Sequence, residues 1–387
     1  MTAGAESGSK ELPAENSVRL FLCGDVMLGR GIDQVLPHPC SPLLHESYVH
    51  SALDYVRLAE EANGSISRPV TPSYVWGAAL DELNRKQPDV RIINLETTIT
   101  RNEDFAPKGI NYRTSPENAG CLIAAAIDCC ALANNHVLDW GRQGLFDTLM
   151  TLEHLHIKSA GAGRNLVEAS APAILHIAGK GRVLVFSFAA VTSGTPRSWA
   201  ASQDAAGVNL LTDLSETTAM RICDQIARHR KTQDVIVIAI HWGPNWGYDI
   251  PEEQRRFAHA LIERADISIV HGHSSHHAKG IEIYRNRLIL YGCGDFLNDY
   301  EGIQGYEDYR GDLALMYFVD IELASRNVAA TEIVPLQIHK FSLVRPPDHD
   351  IDWMRQMLDR ESHRFGASVA TMSPGRLALA WPSRSAA

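Results

Sequence analysis

The chain predicts an α/β fold, and three observations carry that expectation. Apolar β-branched runs alternate with amphipathic stretches of helical length, so strand and helix follow one another along the sequence. Each run ends abruptly in glycine, carboxylate, amide or imidazole residues, as strands do where they open into loops. The run Asp234-Val-Ile-Val-Ile-Ala-Ile240 has the length and branching of a strand buried on both faces. With 387 residues, 45% of them hydrophobic and 21% charged, the chain can bury a large core as one big domain or two smaller ones.

Taken in order, the first strand runs from Val18 to Cys23 and ends in Gly24-Asp25. Residues 31–75, rich in Pro, Ser and His, predict a long loop holding one helix, Ser51 to Ala62. A helix over Ala78 to Lys86 leads to a strand from Val90 that closes on Asn94-Leu95-Glu96. The next helix spans Pro116 to Ala126, and the strand from Cys129 ends in Asn134-Asn135-His136. Amides at that position compete with the strand ladder, which favours a functional role over a structural one. A helix over Gly144 to Leu155 and a strand over Ile157 to Gly163 follow, then paired strands at Ala173 to His176 and Arg182 to Phe188. A helix at Leu214 to Arg230 precedes the 234–240 strand, which ends in His241-Trp242-Gly243. After a helix at Pro251 to Ala265, the run Ile267 to Val270 opens into His271, His273, His276 and His277, and a hairpin returns through Leu288 to Tyr291. Strands are expected at Leu313 to Ile321 and Ile333 to Val344, and a helix at Ile351 to Arg364. The expected division is a disordered leader (1–17), a main domain (18–345) and a C-terminal helical tail (346–387).

A net charge of −10 without a long block of like charge disfavours nucleic acid as a partner. The leader is polar and lacks an apolar signal region, and no later run approaches the length of a membrane helix, so a cytoplasmic protein without a membrane anchor is expected. Seven cysteines, odd in number and mostly within apolar runs, predict buried free thiols.

Successive strand–helix units place their strand ends along one sheet edge, so side chains remote in sequence can converge there. Asp25, Glu96, Asn135 with His136, His241, and His273 with His276 form such a series. Two carboxylates, an amide oxygen and several imidazoles suit one or two divalent ions (Mn, Fe, Zn or Mg) better than a thiolate site would.

This ordered series, Gly24-Asp25, Asn94-Leu-Glu96, Asn134-Asn135-His136, His241-Trp-Gly and Gly272-His273-Ser-Ser-His276, resembles the calcineurin-like metallophosphoesterase superfamily. More closely it resembles the CapA branch, of capsule and poly-γ-glutamate biosynthesis. The resemblance implies a four-layer α-β-β-α sandwich with its site at one end of two sheets. It implies Asp25, Glu96, Asn135, His241 and His273 as metal ligands, His276 as a ligand or substrate contact, and His136 as general acid. Arg30 and Arg113 are candidate anion clamps, since a guanidinium grips two oxygens at once. Lys279 adds a cation, and Tyr112, Trp242, Trp246 and Tyr248 are candidates for an apolar rim. Met27 stands where many metallophosphoesterases carry a histidine, and Glu96 replaces a more usual aspartate, changes that the CapA branch shares.

Three functions fit these residues. The first is a metal-dependent hydrolase acting on a phosphoester or related acidic substrate. The second is a cofactor-independent peptide epimerase using Asp25 and a histidine as acid and base. The third is an accessory protein that binds an acidic polymer.

Overall fold

A computed structural model describes residues 10–382. Strand β1 (Ser17–Val26) lies near the middle of the first sheet. Helices α1 (Ala52–Asn63) and α2 (Ala78–Lys86) lead to β2 (Val90–Leu95), then β3 (Cys129–Ala131), α3 (Gly141–His154) and β4 (Lys158–Ala160). Strands β1, β2, β3 and β4 pair in that order, all parallel.

The chain then builds a second sheet. Its strands are β5 (Ala173–Ile177) and β6 (Gly181–Ala190), then β7 (Val235–His241) after α4 (Glu216–His229). Beyond α5 (Glu252–Ala265) come β8 (Ile269–His273) and the hairpin β9 (Ile281–Tyr284) and β10 (Arg287–Leu290). Strands β6, β7, β8 and β10 are parallel, with β5 and β9 antiparallel. Finally the chain returns to the first sheet. β11 (Asp295–Leu297) pairs parallel with the end of β1, and β12 (Leu313–Glu322) runs antiparallel along it. β13 (Val328–His339) extends the sheet, and after α6 (Asp348–His363) the strands β14 (Ser368–Ser373) and β15 (Arg376–Ala380) complete it.

Period-two alternation sorts the side chains into layers. Leu20, Leu22 and Ile92 of the first sheet pack with Val183, Val185, Val235, Val237 and Ile269 of the second in a central core. On the opposite face of the first sheet, Phe21, Cys23 and Ile93 meet Val56 of α1, Leu83 of α2 and Leu145 of α3. Phe186, Ile236, Ile238 and Ile240 of the second sheet meet Ile222 of α4 and Phe257 of α5. Helix, sheet, sheet and helix are thus stacked as a four-layer sandwich.

Gly24 is required where β1 meets the return of the chain from the second sheet: a Cβ there would lie 1.8 Å from the Gly294 carbonyl oxygen. That approach brings Asp25 and Asp295 level in adjacent strands.

Two expectations change. The single strand expected over Ile333 to Val344 is a hairpin, because Lys340 and Phe341 turn with φ of 56° and 59° and Ser342–Val344 pairs back on β13. The Glu301 carboxylate accepts from both turn N–H groups, at 2.7 and 2.6 Å. The C-terminal segment carries its helix, but β14 and β15 join the first sheet, with Val369, Leu377 and Leu379 buried in the central core. Residues 1–9 of the expected leader lie outside the described residues, while Glu11 bonds to Arg85 and Lys86. Among the described residues no helix is long and apolar enough to cross a membrane. The seven cysteines are free thiols, six of them buried.

Candidate functional site

The parallel strands of both sheets end at one edge of the sandwich, and their last residues meet there. Asp25 from β1, Glu96 after β2 and His241 from β7 are buried and offer ligand atoms within 4.8 Å of one another. Asn135 Oδ1 lies 3.0 Å from His241 Nε2. His273 ends β8, with Nδ1 3.4 Å from Asp25 Oδ1 but without hydrogen-bond geometry, so neither of its buried ring nitrogens has a partner. The amides hold the frame: Asn94 Nδ2 donates to Asp25 Oδ1 at 2.8 Å, and Asn134 Nδ2 to Asn94 Oδ1 at 3.1 Å.

The electrostatics point the same way. Burial, followed by the charge of Asp25, pushes the Glu96 pKa well up. Burial acts upward on Asp25 too, but His273 and His241 outweigh it and hold that carboxyl below its usual range. Burial lowers His241 to about 3. Two buried carboxylates side by side, neutral imidazoles and unpartnered nitrogens form a donor set that a divalent cation fits, since its charge lets both carboxylates ionise together.

Beside this cluster lies a cavity of about 260 Å³ walled by Glu96, Tyr112, Asn135, His136, His276 and Tyr300, among others. His136 Nε2 stands 3.7 Å from Glu96 Oε1, and Nδ1 is 2.6 Å from Asp139 Oδ2. Lys108 Nζ donates to the other Asp139 oxygen at 2.6 Å. Burial lowers His136 to about 4, with Asp139 opposing the shift. The Tyr112 hydroxyl meets that of Tyr300 at 2.6 Å.

Several expected site residues lie elsewhere. Arg30 is buried with its guanidinium bound to Asp299 (2.5 and 3.1 Å) and Glu46 (2.9 Å), leaving no free fork for an anion. Arg113 stacks on Trp140 at 3.8 Å and donates to the Asn102 carbonyl at 2.7 Å, away from the cavity. Trp242 belongs to the core between the second sheet and its helices, with Nε1 donating to the Tyr291 carbonyl at 2.9 Å. Lys279 is buried off the cavity wall with its ammonium toward the Asp249 carbonyl, and desolvation lowers its pKa to about 8. Trp246 stacks on Tyr306 at 4.1 Å beside a neighbouring cavity, and Tyr248 packs edge-on against His277. His271 ties the two sheets together, Nε2 donating to the Cys23 carbonyl at 2.8 Å.

Sequence reasoning missed Asp139, Lys108 and Asp295. Asp139 follows His136 by three residues, a spacing that returns its carboxylate to the ring. Gly294-Asp295 repeats the Gly24-Asp25 pattern at a strand end. Lys108 is the only lysine or arginine on the cavity wall among the described residues.

Residues 19–300 match the family described as bacterial capsule synthesis protein PGA_cap. The chain belongs to the PGA_cap family. That family lies within the metallophosphoesterase-like superfamily. A Mycobacterium tuberculosis relative named "Probable polyglutamine synthesis accessory protein" is 46% identical over 356 residues, covering 92% of this chain and 93% of that protein. The PGA biosynthesis protein CapA of Bacillus subtilis is 25% identical over 343 residues, covering 88% and 77%. Among solved structures, a phosphatase from Mycoplasma pneumoniae aligns over 83% of this chain and 94% of that one, with 10% identity and a TM-score of 0.45.

Proposed function

We propose that this PGA_cap chain is a metal-dependent hydrolase acting on a phosphoester or related acidic substrate in the metabolism of a glutamate polymer. The observation that carries the reading is the convergence of Asp25, Glu96 and His241 beside a cavity walled by the His136–Asp139 pair. Asp25, Glu96, His241, Asn135 and His273 would hold one or two divalent ions. Bound there, an ion supplies Lewis-acid stabilisation of developing negative charge.

The chain's own residues do the rest. A carboxylate can only accept, and Asp139 at 2.6 Å lies closer to Nδ1 than the Lys108 ammonium at 3.2 Å, so the His136 proton sits on Nδ1 and the Nε2 lone pair is free. Burial outweighs Asp139 and keeps His136 uncharged at neutral pH, so Nε2 takes a proton from the attacking water. This is the role of a base, where the family resemblance suggests an acid. Lys108 places the positive charge on the cavity wall that was expected of Arg30 or Arg113. Tyr112 and Tyr300 close the wall behind it.

The test is metal content by elemental mass spectrometry with turnover of p-nitrophenyl phosphate and of poly-γ-glutamate. The reading expects about one to two bound ions and a loss of roughly 10²- to 10⁴-fold in His136→Ala. Full metal occupancy without turnover of any ester or polymer bond overturns it. The names of the relatives favour the accessory reading, which such a result would leave standing. The epimerase reading has less support, because Asp25 is fully buried and bonded to Asn94 and the Ser274 N–H rather than set on the cavity wall. Absence of deuterium at a peptide Cα after incubation in heavy water is the expected result.

A further inference from the structure

We propose that His276 is the proton donor to the leaving group, seated by Asp295 and Asn298 as positioning residues; this rests on the hydrolase reading above. His276 shares the cavity wall with Glu96, Asn135 and His241 but is held by groups outside the ligand set. Its Nδ1 is 2.9 Å from Asp295 Oδ1 and its Nε2 is 3.1 Å from the side-chain amide of Asn245. Both of its ring nitrogens thus have partners, whereas neither ring nitrogen of His273 does.

Its seat is rigid. Asp295 opens β11, which is paired with β1, and its second oxygen accepts from Asn298 Nδ2 at 2.9 Å. The ring stands edge-on to Tyr300 at 5.5 Å and lines the same cavity as His136. Rotating the Asn245 amide by half a turn presents its oxygen to Nε2, so a protonated ring is satisfied on both sides. Burial works against that proton. The charges of Asp295 and Asp25 favour it, Arg30 opposes them, and the balance lies above the ordinary histidine value.

The step balances. Water oxygen forms the new bond to phosphorus while one water proton passes to His136 Nε2. The phosphorus–oxygen ester bond breaks, its electron pair stays on the leaving oxygen, and that oxygen takes the proton from His276 Nε2. Exchange with solvent then returns a proton to His276 and removes one from His136.

The test compares phenyl phosphate, whose leaving oxygen needs a proton, with 2,4-dinitrophenyl phosphate, whose leaving oxygen does not. His276→Gln is expected to lose roughly 100-fold in kcat on the first ester and under about tenfold on the second. Asp295→Asn and Asn298→Ala are expected to show the same asymmetry at smaller size. Equal losses on both esters overturn the proposal, and no turnover of either by the wild type overturns the hydrolase reading and this one with it. Histidine nitrogen NMR of the chelated protein supplies a readout independent of turnover. Added Zn²⁺ is expected to shift His241 and His273 and leave His276 in place; a matching shift at His276 makes it a ligand and sinks its role as donor.

Discussion

At the scale of single residues, the site depends on which polar groups are already spoken for. Arg30 and Asp25 are both fully buried, yet Arg30 is saturated by carboxylates while His273, next to Asp25, keeps two free nitrogens. Asp25→Asn should therefore leave a folded protein that binds markedly less metal, read by elemental mass spectrometry beside circular dichroism. The His136 pKa of about 4 sets an acid limb. With the neutral form required, kcat/KM should fall as pH drops through that value, and an acid limb near pH 6.5 would reject the base role; a separate alkaline limb belongs to the loss of the His276 proton. Strand-end residues were legible because each follows an apolar run directly. The misplaced residues were not, since Arg30 finds its partner in Asp299, far along the chain, and no local pattern records that pairing.

At the scale of elements, the approach of β1 to the returning chain does most to place the ligands. Gly24→Ala forces a Cβ into the Gly294 carbonyl, so it should cost several kcal/mol and remove metal binding together, checked by urea titration and metal analysis. Losing Glu301 leaves the buried Phe341 N–H and the half-buried Lys340 N–H of the turn without their acceptor. Glu301→Ala should lower stability by about 1–3 kcal/mol while sparing metal content. The turn at Lys340–Phe341 escaped sequence reading because neither residue is a usual left-handed former. Strand β15 did leave a signal, the alternation of Leu377 and Leu379 with smaller residues, but a helix immediately upstream drew the whole segment into a helical reading.

At the scale of the molecule, the four-layer order was readable from strand and helix alternation, and the resemblance named it; how the two sheets are joined was not. The same burial that builds the central core keeps histidines uncharged. Desolvation lowers His277 to about 4 and His271 well below its ordinary value. An unfolded chain protonates these rings near pH 6.5. Between those values it binds more protons than the native state, so their contribution is intact above about pH 6.5 and lost as pH falls toward 4. Denaturant titrations of chelated protein should show stability dropping between pH 7 and 5, with proton uptake on unfolding.

The return of the chain through Gly292 and Gly294 from β10 to β11, with His271 bonded across to Cys23, stitches the two sheets at the end that carries the site. Hydrogen–deuterium exchange should therefore be uneven along the sandwich. Amides around Asp25 and His271 should open only with global unfolding, and those near Ser17 and Ile177 should open earlier. The ligands from one sheet cannot drift from those of the other, so metal release should be slow and tied to unfolding rather than to breathing of the sheets.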